Sequence, residues 1–332
     1  MNEASLMNRL GWISVDRMTD EQREIHLSNV AKLPSFALPF GDKPPVGTKV
    51  MLTGLWKHQA TIDALGFAFP GWLQDSGCCV GVGGGNAVQT LILADFILKN
   101  DPDNIFLFAW YYNYGKSRLR GGMRGRGEGS FGSSFAESLA QDGALSVKHP
   151  GLDNLLPDGN TNRGMVSIGE SAEMDWSDGN YASSAIQIEA KKYPVKSYPC
   201  KSAEQVREAI FNGYPVTRAS EKFVRWNKAT VRNGVLFGRH EYIGGHQESW
   251  LNYWHHPQLG EIFYEMNQHG QNAYGEDPAG GPLGGAWVSF EDIDRLCKEQ
   301  NGEVYAITGL DGMKDRKEQV LDWSNGNNPF LS

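Results

Sequence analysis

The stretch that decides the fold is WLQDSGCCVGVGGGNAVQTLILADFIL, residues 72–98. A polar turn carries two adjacent cysteines, Cys78 and Cys79, and an apolar segment of helical length comes after it. Residues 85–101, GNAVQTLILADFILKND, predict a buried helix, apolar on nearly every turn and ending at Asn100 and Asp101. Four readings of the cysteine pair are open. Zinc sites usually space paired cysteines by two to four residues so that both sulfurs reach one ion; adjacent cysteines do this poorly, and there is no second pair. A dinucleotide loop would use GVGGGNA before the helix, with Asp101 about 20 residues on as the ribose-binding acid. Against it, a polar turn precedes the glycines where a buried strand belongs, and Asn86 stands where a third glycine would be. Both cysteines could be small buried hydrophobes. Or one is a nucleophile: a thiol at a helix N-terminus feels the positive end of the dipole, and its thiolate is the attacking species in acyl transfer. That chemistry also requires a base and an oxyanion donor.

The distal half supplies candidates for both. In YIGGHQESWLNYW (242–254), His246 follows two glycines at the head of an extended run. In EIFYEMNQHGQNAYGEDP (261–278), Asn267 ends a strand-like segment before a polar turn. Upstream, GSSFAESLAQDGALSV (132–147) predicts a helix capped by Ser133 or Ser134 and stopped at Gly143. SAEQVREAIFNGYPV (202–216) predicts another, with Ser202 as N-cap, Gly213 after it, and an extended run from Pro215. The first half is thus helix-rich and the second strand-rich, an α+β pattern with two lobes. No internal repeat is present.

In this order the segments resemble the papain-like cysteine peptidases. Gln74, the short turn and Cys79-Val80-Gly81 are similar to the family's nucleophile segment, and Gly245-His246-Gln247 to its Gly-His-Ala strand. Asn267-Gln268-His269-Gly270, then Tyr274, Gly275 and GGAWVS, resemble its Asn-Ser-Trp-Gly segment and the Trp-Gly and Gly-Tyr pairs beyond it. GEGSFGSSFAESLAQDGAL (127–145) resembles its glycine-rich substrate loop and the helix after that loop. The resemblance spans roughly residues 50 to 300 and implies a two-lobed fold with the site in the cleft between the lobes. It implies amide hydrolysis through an acyl-thioester on Cys79, with His246 as base, Asn267 orienting the imidazole and Gln74 donating to the oxyanion. It also implies substrate contacts at Gly129, Ser130, Gly132 and Gly245. Cys78 stands where the family commonly has Ser, and reads as a small neighbour.

This sequence departs from the family in three ways. The Gln74–Cys79 spacing is one residue shorter than usual. His269 replaces the Trp that shields the Asn–His bond. Gly83, Gly84 and Gly85 fall inside the nucleophile helix at a cost of about 1 kcal/mol each relative to Ala; either a close approach of the other lobe or a bent helix would account for them. The other expectation is therefore a catalytically silent papain fold in a structural or assembly role, such as a virus or phage particle component.

The expected organisation is an N-terminal arm over 1–48, a papain-like domain over 49–315 and a C-terminal tail over 316–332. The helical lobe covers about 60–150 and the β lobe about 185–310. The arm has one short amphipathic candidate, DEQREIHLSNVAKL (20–33), and a Pro-rich exit, LPFGDKPPVG (38–47); it does not resemble the usual inhibitory pro-segment, and reads as a contact for an assembly partner. With 332 residues, 40% hydrophobic and 21% charged, the chain has the composition of a globular protein. A net charge of −8 disfavours nucleic acid as a partner of the whole molecule. Apolar runs such as NIFLFAWYY (104–112) are short for a bilayer, and the N-terminus lacks the basic start and apolar core of a secretion signal. A cytoplasmic or virion-associated location and reduced thiols at Cys78, Cys79, Cys200 and Cys297 are expected, with a peptide or protein as substrate and no membrane, cofactor or metal.

Other features have plainer readings. KSRLRGGMRGRGEGS (116–130) reads as a solvated loop whose Arg118, Arg120, Arg124 and Arg126 offer contact to a polyanion. His255 and His256 read as part of a surface hairpin, His240 as a fallback base, and Asp175 and Asp178 miss the spacing of an EF-hand.

Overall fold

The computed structural model describes residues 9–34, 43–99, 105–149, 161–162, 164–299 and 302–310. Asp101, the C-terminal tail over 316–332, and residues 1–8 and 35–42 of the arm lie outside the described residues. The main helices are α1 (Asp20–Lys32), α2 (Cys79–Lys99), α3 (Trp110–Arg120), α4 (Gly132–Asp142), α5 (Glu170–Trp176), α6 (Ala203–Phe211) and α7 (Phe290–Lys298). The strands are β1 (Lys49–Met51), β2 (Val195–Pro199), β3 (Val216–Val224), β4 (Thr230–Arg232), β5 (Val235–Phe237), β6 (His240–His256), β7 (Gly260–Met266), β8 (Gly285–Ser289) and β9 (Glu303–Leu310). These nine strands form one sheet in the order β2-β9-β3-β6-β7-β8-β5-β4, with β1 added to the far end of β6. Every pair is antiparallel except β8–β5. The layout is the expected α+β, with helices gathered in the first half and the sheet in the second.

Helix α2 is the spine of the core. It begins at Cys79 itself, because the N–H groups of Gly81 and Val82 turn back to the Cys78 carbonyl at 2.9 and 3.2 Å. It is long and apolar enough to cross a membrane, but it is buried along almost its whole length among the other elements. Gly83 explains how it meets the sheet: a Cβ there would lie 2.6 Å from the Gln247 carbonyl oxygen of β6, and the Ser249 hydroxyl donates to the Gly83 carbonyl. Gly83 marks a close approach of the β lobe, whereas a Cβ at Gly84 or Gly85 would meet Phe135 of α4 at 2.1 Å or Trp110 of α3 at 2.6 Å, and the helix runs unbroken through all three. Asn86 ties the preceding turn to the helix by accepting the Trp72 N–H at 2.8 Å.

Two local expectations hold and two are corrected. Ser202 caps α6 by accepting the Gln205 N–H at 3.4 Å, and Gly143 follows α4 with φ 75°. Neither Ser133 nor Ser134 caps α4. That helix starts at Gly132, and its free N–H groups at Gly132 and Ser133 are taken by the Glu303 carboxylate at 2.9 and 2.5 Å. A side chain distant in sequence does the capping, which a local pattern cannot reveal.

The basic stretch is also not a single solvated loop. Lys116, Arg118 and Arg120 belong to α3. Arg118 is buried and donates to the carbonyls of Ser177, Glu128 and Gly129 at 3.0, 2.6 and 2.7 Å, and Arg120 pairs with Asp142 at 2.6 Å. Arg124 and Arg126 alone of the four are exposed, the latter paired with Asp175. His255 and His256 do enter a hairpin, between β6 and β7, but His256 is buried and meets the Asn233 carbonyl at 3.1 Å.

The arm lies against its own chain. Helix α1 opens with a capping box between Thr19 and Gln22, and packs on α4 through His26 Nδ1 to Ser133 Oγ at 2.8 Å and Asn29 to Ser134 at 3.3 Å. Ahead of it comes a short 3-10 turn, Val15–Arg17, and before that residues 9–13 lie between the helical and β-rich halves.

Candidate active site

Cys79 is placed by a series of backbone constraints. Gln74 N–H donates to the Gln268 carbonyl at 2.9 Å, which joins the nucleophile turn to the segment after β7. Glu173 of α5 accepts the Asp75 N–H with both carboxylate oxygens, at 3.0 and 3.1 Å. Gly77 N–H donates to Glu128 at 2.8 Å, and its carbonyl accepts from Gly129 N–H at 3.1 Å and Tyr114 OH at 3.2 Å. Held this way, the chain enters α2 with Cys79 at the first helical position, where its N–H is one of the four that a helix leaves unpaired. The adjacent Cys78 points elsewhere, into hydrogen-bonding contact with Ser76 and Glu173.

His246 comes from β6, paired in register with Ser220 of β3. Asn267 follows the last residue of β7. His246 Nε2 lies 3.1 Å from Asn267 Oδ1. The orientation of that amide is fixed from behind: Nδ2 donates to the Glu248 carboxylate and, at 2.7 Å, to Tyr274 OH, which itself donates to the Val224 carbonyl at 2.7 Å. Oδ1 must therefore face the imidazole, so the ring proton sits on Nε2 and the lone pair on Nδ1. Nδ1 is buried and has no hydrogen-bond partner among the described residues. His269 stacks on His246 with centroids 4.9 Å apart and 14° between planes, and Trp226 packs edge-on against His269 at 5.0 Å. The His246–Asn267 pair is thus covered by rings even though the expected Trp position is His269.

The groove over these residues is filled by residues 9–13. Gly11 N–H points at Cys79 Sγ, 3.3 Å away. The Gln74 side-chain amide donates to the Arg9 carbonyl, and Arg9 reaches back to Gln74 O at 2.8 Å and Asp75 at 3.5 Å. Ser130 N–H donates to Gly11 O at 2.9 Å, Ile13 N–H to Ser130 O at 3.0 Å, and Trp12 N–H to Gly245 O at 3.2 Å. Trp12 pairs with Ser130 in a parallel bridge. Only glycine fits at residue 11, because a Cβ there would lie 1.7 Å from the Gly77 carbonyl oxygen. Gln74 and Cys79 thus lie beneath residues 9–13 with Ser130 and Gly245 beside the same segment and Gly129 next to it, and the Gln247 N–H adjoining His246 approaches Cys79 Sγ, but among the described residues no hydrogen bond joins His246 to that sulfur. Gly132 lies at the start of α4, where its N–H shares Glu303 Oε2 with the indole N–H of Trp12.

No family profile matches the sequence, and no curated protein matches it. Solved structures do. Xylellain, a cysteine protease from Xylella fastidiosa, is 15% identical with a TM-score of 0.52, over 91% of this chain and 96% of that one. A proCathepsin B from Trypanosoma congolense is 9% identical with a TM-score of 0.53, over 93% and 89%. The fold is papain-like.

In this papain-like fold the pair is electrostatically quiet. Burial pushes the Cys79 thiol up to about 12, only partly offset by the backbone N–H groups of Gly11, Gln247 and Trp12. Burial likewise depresses His246 to about 3, against the bond to Asn267. Both shifts run against the thiolate–imidazolium form that a solvated helix terminus would favour.

Several contributors are not singled out by the sequence: Glu173, Glu248, Trp226, Glu303, the segment Arg9–Trp12, and Phe223, whose ring centroid lies 4.9 Å from that of His246. The i, i+2 spacing of His246 and Glu248 on one strand puts both on one face and is a usable signal. His240, the fallback base, is bound at 2.7 Å to Glu265, which shares Arg218 with Glu248. Among the described residues no group of three or more His, Cys, Asp or Glu is arranged to hold a metal ion. His255 instead bonds the Pro44 carbonyl at 2.7 Å.

Proposed function

We propose that the chain is a thiol peptidase that folds with its cleft closed by its own residues 9–13. The observation that carries this reading is the extended backbone lying across Cys79, bonded to Gln74, Ser130 and Gly245: the groove binds polypeptide in extended form. In the open cleft, His246 Nδ1 takes the Cys79 proton as sulfur attacks a peptide carbonyl. The Gln74 amide and the Cys79 N–H receive the oxyanion. The intermediate collapses to a thioester, the leaving amine takes the proton from His246, and water then releases the acid. The arm resists this step because Gly11 offers sulfur an N–H donor, not a carbonyl carbon.

The test uses the full chain with Trp12→Ala, which weakens the arm, against a casein-type protein substrate. Cys79→Ala and His246→Ala in that background abolish cleavage, and Asn267→Ala lowers it without unfolding the protein. Unchanged cleavage in the Cys79→Ala protein overturns the reading. Iodoacetamide labelling near pH 6 reports the same site: Cys79 labels slowly in the native chain and faster once the arm is weakened, whether or not Cys78 is replaced by Ser. A silent structural role on this fold has no observation in its favour.

A further inference from the structure

Glu248 stands two residues after His246 on β6, so the two side chains leave the strand on one face. Both are fully buried, with Glu248 Oε1 3.9 Å from His246 Nε2. The Asn267 amide lies between them, Oδ1 on the imidazole at 3.1 Å and Nδ2 on Glu248 Oε1. Glu248 Oε2 is held by Arg218 of β3, whose same nitrogen donates to Glu265 of β7 at 2.7 Å, and Glu265 meets His240. Two lines of donors thus end on Glu248, one from Arg218 and one from the His246 ring through Asn267. A carboxyl group can end both, whereas an amide offers one oxygen and one NH2. Burial and Glu265 raise Glu248 well above its usual value, but Oε1 faces Asn267 as an acceptor whether or not the two acids share a proton.

Arg218 sets the polarity of the line. A glutamine in place of Glu248 would give its carbonyl to the guanidinium and turn its NH2 on Asn267 Nδ2. Two NH2 groups facing each other in a buried site leave both without a partner, and turning the Asn267 amide relieves them. Its NH2 would then meet His246 Nε2, and the ring proton would move to Nδ1. The Gln268 N–H and Tyr274 OH, each 2.7 Å from the Asn267 amide, resist that turn, but they are neutral and Arg218 is not.

We propose that Glu248 is a positioning residue of the active site: acting through Asn267, it keeps the ring proton of His246 on Nε2 and leaves Nδ1 to take the proton of Cys79. The reaction served rests on the peptidase reading above; the place of the proton can be read without it. What the pair of positions 248 and 267 requires is one acid and one amide, in either order. With the two exchanged, the amide at 248 gives its oxygen to Arg218 and its NH2 to a carboxylate at 267, which accepts from His246 Nε2–H. The number of charges is unchanged.

Nitrogen-15 NMR of the imidazole rings in the full-length chain at about pH 7 tests this, with the His246 signals assigned by their loss in His246→Ala. The proton should sit on Nε2 in wild type and move for the most part to Nδ1 in Glu248→Gln. Tyr274→Phe, which leaves Glu248 in place, should not move it. An unmoved proton in folded Glu248→Gln overturns the proposal, and so does a moved one in Tyr274→Phe, which would give the role to Tyr274. In the full-length Trp12→Ala chain with a casein-type substrate, Glu248→Gln should lower kcat at least about 100-fold with KM within about threefold, as a base in the wrong tautomer does. Adding Asn267→Asp should recover at least about tenfold of that loss. A loss that Asn267→Asp does not recover points to damage of the fold and overturns the proposal. Unchanged kcat in Glu248→Gln overturns it too and leaves the peptidase reading intact. Cleavage by none of the chains, with the ring protons placed as expected, supports the positioning role and removes the peptidase reading.

Discussion

Behind Cys79 the supporting carboxylate is Glu173, and behind His246 it is Glu248; both are fully buried, yet only the second has a cation beside it. Glu173 meets the backbone N–H of Asp75, the Ser76 side chain and the Cys78 thiol, and burial raises it to about 7. Glu248 shares Arg218 with Glu265, and Glu265 also binds His240 and the Trp250 indole N–H at 2.7 and 3.1 Å. Burial works to raise Glu265, but Arg218 and His240 outweigh it and hold that acid well below the usual range. The His246–Asn267 pair is thus backed by a charge network, and the turn before Cys79 by a carboxylate that titrates near neutrality. The difference lies in the cation: burial pushes both carboxylates up, Glu248 well above its usual value with Glu265 adding to the push, and only Glu248 has Arg218 beside it to oppose the shift.

The largest expected effect breaks the network side. Arg218→Ala strands two buried acids and should cost about 3–5 kcal/mol in urea unfolding; a loss below about 1 kcal/mol would show that the network is not what holds the base.

The pH dependence of stability sharpens the contrast. Folding raises Glu173 from 4.5 to about 7, so its contribution is full below about pH 4.5 and is lost as pH rises through about 7. Folding lowers His246 from 6.5 to about 3, so its contribution is full above about pH 6.5 and is lost as pH falls through about 3. Between pH 4.5 and 6.5 the two slopes oppose. Glu173→Gln should gain about 1–3 kcal/mol at pH 7.5 and lose stability more steeply on acidification than wild type. Urea melts at four pH values check this, and parallel profiles for the two proteins would refute it.

At the seam between the halves, Gly83→Ala should destabilise by about 1–2 kcal/mol, because the clash with the Gln247 carbonyl exceeds the roughly 1 kcal/mol of helix propensity gained. A stabilised variant would mean that the lobes can separate there without penalty. The smallest effect belongs to Arg124→Ser with Arg126→Ser, within about 0.5 kcal/mol by thermal melting, since both are exposed.

How much is legible in the sequence depends on which interactions are local. The apolar run after Cys79, the Ser202 cap and the alternation around His246 declare themselves within a few residues, so the order of helices and strands can be read directly. Glu303 capping α4, Glu248 behind Asn267 and Arg118 beneath the glycine-rich loop join residues far apart in the chain, and no periodicity encodes them. The arm escapes a local reading for the same reason. Its extended residues 9–13 have no pattern of their own, and their meaning lies in the Ser130 and Gly245 carbonyls they meet.

Only residues 14–19 separate the strap over Cys79 from helix α1, whose His26 and Asn29 stay moored to α4. So short a tether gives the strap an effective concentration of about millimolar or more at the groove. A substrate at micromolar concentration competes with a neighbour that never diffuses away. Its apparent affinity is its intrinsic affinity multiplied by the fraction of time the strap is off. On the peptidase reading proposed above, output at low substrate is therefore set as much by the few contacts of Arg9, Gly11 and Trp12 as by the chemistry of Cys79 and His246.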